Sequence, residues 1–504
     1  MANVLYDALF APHADDDRDF LILPDGSTQS YREFIAEIAR LANALVALGV
    51  EPGDRVVVQA PKSARALALY GACVQSGSVL LPLNTAYTAA EVDYFVSDAQ
   101  ARVLVCDPSA TERLGPIAQA HGAILQTLDA AGEGGLAGLA ADQPARFETV
   151  ARDADDLAAL LYTSGTTGRS KGAMLSHANL LSNTEVLVDE WRFGPEDVLL
   201  HALPVFHTHG LFVATNISLL AGGSMILLPG FDLEAILRWL PRASSMMGVP
   251  TFYTRLLDDP RFTRELVEHF RLFVSGSAPL LAETHVEFEA RTGHRILERY
   301  GMTETNMNTS NPYDGERRAG TVGPPLPGVS LRVVDPETGA ALPQGEIGMI
   351  ELTGANVCQG YWRMPEKTAE AFRPDGFFIT GDLGRIDEHG YVQIVGRGKD
   401  LVISGGFNIY PKEVELLLDE QPGVLESAVI GAPHPDLGEG VVAVLVPRPG
   451  ASIDTDAIAA TIRDGIARFK QPRRFYVIDE LPRNTMGKVQ KNLLRERFGN
   501  AFAN

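Results

Sequence analysis

At 504 residues the chain is longer than one core usually spans, so two or more domains are expected. Hydrophobic residues make up 45% and charged residues 21%, as in an ordinary globular protein. The formal charge of −21 argues against non-specific binding to nucleic acid or an anionic membrane, so any anionic substrate must be held by local positive groups. Cys73, Cys106 and Cys358 are scattered and form no CxxC pair, which fits a reducing compartment better than a disulfide framework or a zinc site. The start MANVLYDALFAPHADDDRD has no basic leader, and no apolar run approaches the ~18 residues that cross a bilayer. A cytoplasmic location is the expectation.

The first four hundred residues alternate helical and strand patterns. YREFIAEIARLANALVAL (31–48) has helical apolar spacing and ends at Gly49, RVVVQA (55–60) reads as a strand, and ARALALYGACVQSG reads as the next helix. DLAALLYTSG (156–165) is an apolar strand running into a polar glycine-rich loop, and Ser176 can N-cap a helix beginning near Asn179. SMILLP, SSMMGVP and RLFVSG then alternate as strands with the helices DLEAILRWL, TFYTRLL and AETHVEFEARTG. This order implies a layered α/β domain with a mainly parallel sheet. After Asn311, PPLPGVSLRVVD, GEIGMIELTG and GYVQIVGRG mark a β-rich portion, and from Lys399 the chain restarts as a small α+β unit. The expected division is a large N-terminal domain over 1–396, a hinge at 397–400, and a small mobile C-terminal domain over 401–504.

Six stretches combine glycine, small polar and charged residues in ways a core does not need. They are YTSGTTGRSKG (162–172), PVFHTHG (204–210), ERYGMTET (298–305), YWRMPEKT…GFFITGDLG (361–384), GRGKDLVISGGFNIYPKEVE (396–415) and LPRNTMGKVQKN (481–492). The first is not the phosphate loop GxxxxGK[ST], because Ser170 precedes Lys171 and Gly172 follows it. By composition alone it is another kind of phosphate loop or a polar turn. The His207–His209 pair has no third ligand at suitable spacing, so zinc is not expected.

Together, in this order, the six stretches resemble the acyl-adenylate-forming enzymes: acyl-CoA synthetases, luciferases and peptide-synthetase adenylation domains. The resemblance covers nearly the whole chain and implies ATP, Mg²⁺ and CoA as cosubstrates. It implies that Thr163, Ser164, Gly165, Thr166, Thr167, Gly168 and Lys171 form the loop over the β- and γ-phosphates, with hydroxyls and backbone N–H groups turned inward. Gly276, Ser277 and Ala278 are expected at the adenine, and Asp382 and Arg397 at the ribose. Thr303 and Glu304 fall where the family orients the α-phosphate and binds Mg²⁺. His207 is expected beside the reacting carboxylate, while His209 is read as structural. Lys488 is expected to reach the carboxylate and α-phosphate during adenylation, Lys399 to be the hinge, and Gly405 and Gly406 to line the CoA path. Family members are acetylated in this lysine's context, which implies a lysine acetyltransferase and deacetylase as partners.

Arg299 departs from the family, in which the residue before YGMTE is neutral or acidic. That position borders the acyl pocket, together with Met302 and the candidate Arg255. An arginine there makes sense if the substrate has a second carboxylate, held as a bidentate pair. Otherwise Arg299 pairs internally with Glu298 or Glu304. ERYGMTETNMNTS, with Arg255 upstream, closely resembles malonyl-CoA synthetases. The expected reaction joins malonate and CoA at the expense of ATP, giving AMP and pyrophosphate. Another short acid (methylmalonate, succinate or a monocarboxylate), or a carrier protein loaded in trans, remains an alternative.

Overall fold

A computed structural model describes residues 3–163, 170–404, 407–435, 437–463, 466, 468–484 and 487–503. The chain forms two compact units, one made of Met1–Ser330 with Thr353–Gly376 and the other of Leu331–Leu352 with Phe377–Asn504. The second unit thus includes the strands bearing TGD and GRGKD. Among the described residues no helix is long and apolar enough to cross a membrane.

The first unit is layered α/β, as the alternating pattern predicts. One sheet runs in the order Ile124–Thr127, Val103–Cys106, Arg55–Gln59, Val79–Pro82, Leu157–Thr163, Lys171–Ser176. It is parallel except for the last strand, which returns antiparallel. VLLP and VLVC are buried along their whole length, the pattern of strands covered on both faces. A second sheet runs Asn306–Ser310, Leu297–Met302, Leu272–Ser275, Ser245–Gly248, Val198–His201, Ser224–Leu227, Asp19–Ile22, Thr28–Ser30, with antiparallel strands at its two edges.

Local chemistry sets the helix ends. In Tyr31–Ala47 the Ser30 hydroxyl accepts from the Glu33 N–H while the Glu33 carboxylate accepts from the Ser30 N–H, a capping box. Phe34, Ile35, Ile38, Leu41, Ala42 and Leu45 form its buried stripe. The chain leaves this helix through Gly49 at φ +75°, a conformation that favours glycine. Ser176 caps as expected, although the helix starts at His177 and Asn179 supplies the reciprocal cap.

In the second unit Ser330–Val334, Gly348–Thr353, Phe378–Ile386 and Val392–Arg397 form a four-stranded sheet. A further sheet is built on the long antiparallel pair Val424–His434 and Gly438–Pro447. Val441, Ala443 and Leu445 face one apolar cluster with Val414, Leu418, Ile458 and Ile462. Val442, Val444 and Val446 face another with Ile478, Leu481 and Leu494. The uninterrupted VVAVLV run is therefore a strand buried on both faces.

Candidate active site

Thr163 stands opposite Lys171 at one end of the antiparallel pair Leu157–Thr163 and Lys171–Ser176, the latter an edge of the six-stranded sheet. Ser164, Gly165, Thr166, Thr167 and Gly168 lie outside the described residues. The segment 359–362 runs beside Lys171–Ser176: Gln359 N–H donates to the Met174 carbonyl at 3.0 Å and Trp362 N–H to the Gly172 carbonyl at 2.8 Å. This added pairing brings Tyr361 to Lys171, whose ammonium sits 4.0 Å from the ring centroid. The Tyr361 hydroxyl in turn donates to Glu304 Oε1 at 3.0 Å. The Cys358 N–H donates to the Glu304 carbonyl at 2.7 Å. Tyr361, which lies in one of the six polar stretches, thus links two of the predicted phosphate-site residues.

Thr303 and Glu304 occupy the turn between Leu297–Met302 and Asn306–Ser310, with Met302 opposite Asn306. Asn306 adopts φ +50°, which asparagine tolerates better than most residues, and so closes a short turn that presents Glu304.

Arg299 lies on the strand leading into that turn and is 3% exposed. Its Nε and Nη2 are buried and have no hydrogen-bond partner among the described residues. Strand alternation turns Glu298 to the opposite face, where its carboxylate accepts the Leu280 N–H at 3.1 Å. The guanidinium lies against Gly276, where a Cβ would come within 2.3 Å of Arg299 Cζ. Burial pulls the Arg299 pKa down to about 9, against which Tyr253 and Glu298 act weakly. Gly276 and Ser277, expected at the adenine, are therefore also the floor beneath this arginine. Ser277 has φ +70° and its hydroxyl lies 3.2 Å from His209 Nδ1.

Arg255 differs from Arg299 in burial. It is exposed on the helix Pro250–Leu257 with its guanidinium over the Phe231 ring. Two residues along a helix is about 200°, so Arg255 leaves on the side away from buried Tyr253, whose hydroxyl donates to the Val274 carbonyl at 2.6 Å. Met302 shares a strand face with Tyr300, whose hydroxyl lies 3.8 Å from its sulfur. Ala278 is half-buried just after Ser277.

His207 and His209 sit where the chain enters a π-helix, His209–Thr215, a rare form that often marks functional sites. The His207 carbonyl accepts from the Gly210 and Leu211 N–H groups at 3.1 and 2.9 Å. Gly210 permits the fold-back, since a Cβ there would meet the Pro204 carbonyl oxygen at 2.1 Å. Behind this turn His201 Nε2 lies 2.8 Å from the Gly210 carbonyl, and its Nδ1 2.8 Å from the Lys62 ammonium. Neither Lys62 nor His201 stood out in the sequence, because 139 residues separate them.

In the second unit Asp382 and Arg397 stand opposite each other on adjacent strands, with Arg397 Nε 2.7 Å from Asp382 Oδ1. Asp382 is 4% exposed, and its N–H donates to the Thr380 hydroxyl at 3.0 Å. Lys399 follows in the short turn Gly398–Asp400, and Asp400 is held by Arg495 at 2.7 Å. Lys488 belongs to a turn in which its N–H donates to Asn484 Oδ1 and its carbonyl accepts the Asn484 N–H, each at 3.0 Å. Arg483 anchors that turn by donating to the Gly487 carbonyl at 2.6 Å. Lys488 is exposed, yet protein atoms crowd around it. That crowding, reinforced by Arg397 and partly offset by Asp382, lowers its pKa to about 8. Lys488, Asp382, Arg397 and Lys399 are thus electrostatic neighbours. Gly405 and Gly406 lie outside the described residues.

The chain belongs to the AMP-binding enzyme family, whose main domain matches residues 10–362 and whose C-terminal domain matches residues 413–488. The solved structure of ATP-bound MatB from Rhodopseudomonas palustris is 59% identical, covers 99% of each chain and superposes with a TM-score of 0.97. A feruloyl-CoA synthase of an Amycolatopsis species is 38% identical over 98% of this chain and 97% of its own. The malonate–CoA ligase of Arabidopsis thaliana is 32% identical over 98% of this chain and 89% of its own.

Proposed function

We propose that the protein is an ATP-dependent malonate–CoA ligase. A malonate carboxylate oxygen attacks the α-phosphorus of ATP, the bond to the β-phosphate oxygen breaks, and pyrophosphate leaves. The CoA sulfur then attacks the acyl carbon of malonyl-AMP, AMP departs, and the thiol proton passes to solvent.

One observation carries the choice of acid, the buried guanidinium of Arg299 with two N–H groups unpartnered among the described residues. An unpaired buried charge costs several kcal/mol, so a pocket built for an apolar acid would not retain it. A diacid brings the missing partner in bidentate geometry. Relatives of this chain include both a malonate–CoA ligase and a feruloyl-CoA synthase. A bulky aromatic acid would leave the arginine unpaired.

In this reading Lys171 offsets charge on the departing pyrophosphate, and Tyr361 holds Lys171 and Glu304 in register. Asp382 accepts from the ribose hydroxyls. Lys488 stabilises charge between the carboxylate and the α-phosphate, and motion about Lys399 withdraws it before CoA attacks. Glu304 suits Mg²⁺, which takes one carboxylate plus nucleotide phosphates and needs no cage of protein ligands. Bound there, the ion would neutralise phosphate charge. Acetylation of Lys488 would remove its charge and halt adenylation, a state readable by mass spectrometry alongside activity.

The deciding experiment is pyrophosphate release across acetate, propionate, malonate, methylmalonate, succinate, a medium-chain fatty acid and ferulate. Malonate should give the highest kcat/KM. Faster turnover of ferulate or propionate would overturn the assignment.

A further inference from the structure

Arg299 is not alone in having buried nitrogens without a partner among the described residues. His209 is 1% exposed, and its Nε2 is buried without a hydrogen-bond partner among the described residues. Its other ring nitrogen, Nδ1, faces the Ser277 hydroxyl at 3.2 Å. A hydroxyl donating to Nδ1 fixes the tautomer that carries its hydrogen on Nε2. Burial, and after it the neighbouring Arg299 charge, holds the imidazole neutral by pushing its pKa well below the ordinary range.

The placement is constrained from both sides. Ser277 is held at φ +70°, uncommon for a serine, and directly follows the glycine against which the Arg299 guanidinium rests. The imidazole and the guanidinium therefore flank one dipeptide, Gly276–Ser277. On the other side His209 opens the π-helix, and at the next position a Cβ would meet the Pro204 carbonyl oxygen at 2.1 Å, so the backbone there packs directly on Pro204. Two buried donors thus stand near each other, each costly while unsatisfied. One carboxylate, with about four lone-pair sites, can accept from both.

We infer that His209 is a specificity-determining residue whose Nε2–H donates to the distal carboxylate of the diacid, alongside Arg299, with Ser277 fixing the tautomer. This rests on the malonate reading above and corrects the purely structural role the sequence suggests for His209. The neutral donor adds direction to the arginine's charge, so a short diacid is oriented as well as attracted.

The test compares kcat/KM for malonate and propionate by pyrophosphate release in wild type, His209→Leu, His209→Gln and Ser277→Ala, with KM for ATP measured throughout. His209→Leu should lower malonate about ten- to a hundredfold more than propionate, the scale of a hydrogen bond to a charged group. His209→Gln, which restores an N–H donor, should recover part of that ratio. Ser277→Ala should lower the ratio by a smaller factor. An unchanged malonate-to-propionate ratio in His209→Leu and Ser277→Ala overturns the contact. If His209→Leu does not fold, an unchanged ratio in Ser277→Ala overturns it alone. A wild type that prefers propionate overturns the malonate assignment itself, whereas a malonate-selective wild type with unmoved ratios overturns only the role of His209.

Discussion

Arg299 and Lys488 are both cations assigned to one reaction, and the fold treats them in opposite ways. Arg299 sits inside the first unit on a sheet strand, buried and packed against a glycine. Lys488 is exposed on a short turn of the second unit, its backbone held by Asn484 and Arg483. A fixed charge discriminates among ligands that must come to it. A charge on an accessible turn can be delivered to one step and removed from the next.

Removing the delivered charge should have the largest effect. Lys488→Ala should abolish malonyl-AMP formation, since it removes the group that meets the transition-state charge. Thioester formation from supplied malonyl-AMP should persist, measured as CoA consumption. Equal loss of both half-reactions would dissolve the contrast. Next comes the fixed charge: Arg299→Met should cost roughly two to four decades in kcat/KM for malonate, with a much smaller loss for propionate. A parallel fall on both acids would make Arg299 a structural support.

The pH profile sharpens the comparison without truncating either group. Lys488 has a pKa of about 8 in the free enzyme, so its charge is present below that value and lost as pH rises through it. kcat/KM for adenylation should decline above about pH 8, and Lys488→Arg, whatever its absolute rate, should lose that alkaline limb. The smallest effect belongs to Arg255→Ala, which should change malonate kcat/KM by less than about twofold, as for other exposed substitutions away from special features.

Much of the fold was legible because its signals are local. The buried stripe of residues 31–48, the Ser30–Glu33 cap and the apolar strands all depend on residues within one element. The six polar stretches were visible for the same reason. What escaped depends on contacts distant in sequence. Tyr361 lies 57 residues from Glu304 and reaches it only because segment 359–362 joins a sheet edge. Glu298 looked like a partner for Arg299 by adjacency, yet the period of a strand sends neighbours to opposite faces. His209 looked inert because nothing in PVFHTHG announces a π-helix or the Ser277 hydroxyl.

The contact between Arg299 and Gly276 also governs how this pocket could change over time. With the guanidinium in place, a Cβ at 276 would come within 2.3 Å of it, so Gly276→Ala requires the arginine to shift. Once Arg299 becomes a shorter apolar residue, the same alanine would fill part of the space left behind. The two positions are therefore epistatic, and a lineage or a designer moving toward uncharged acids meets less resistance by changing 299 before 276.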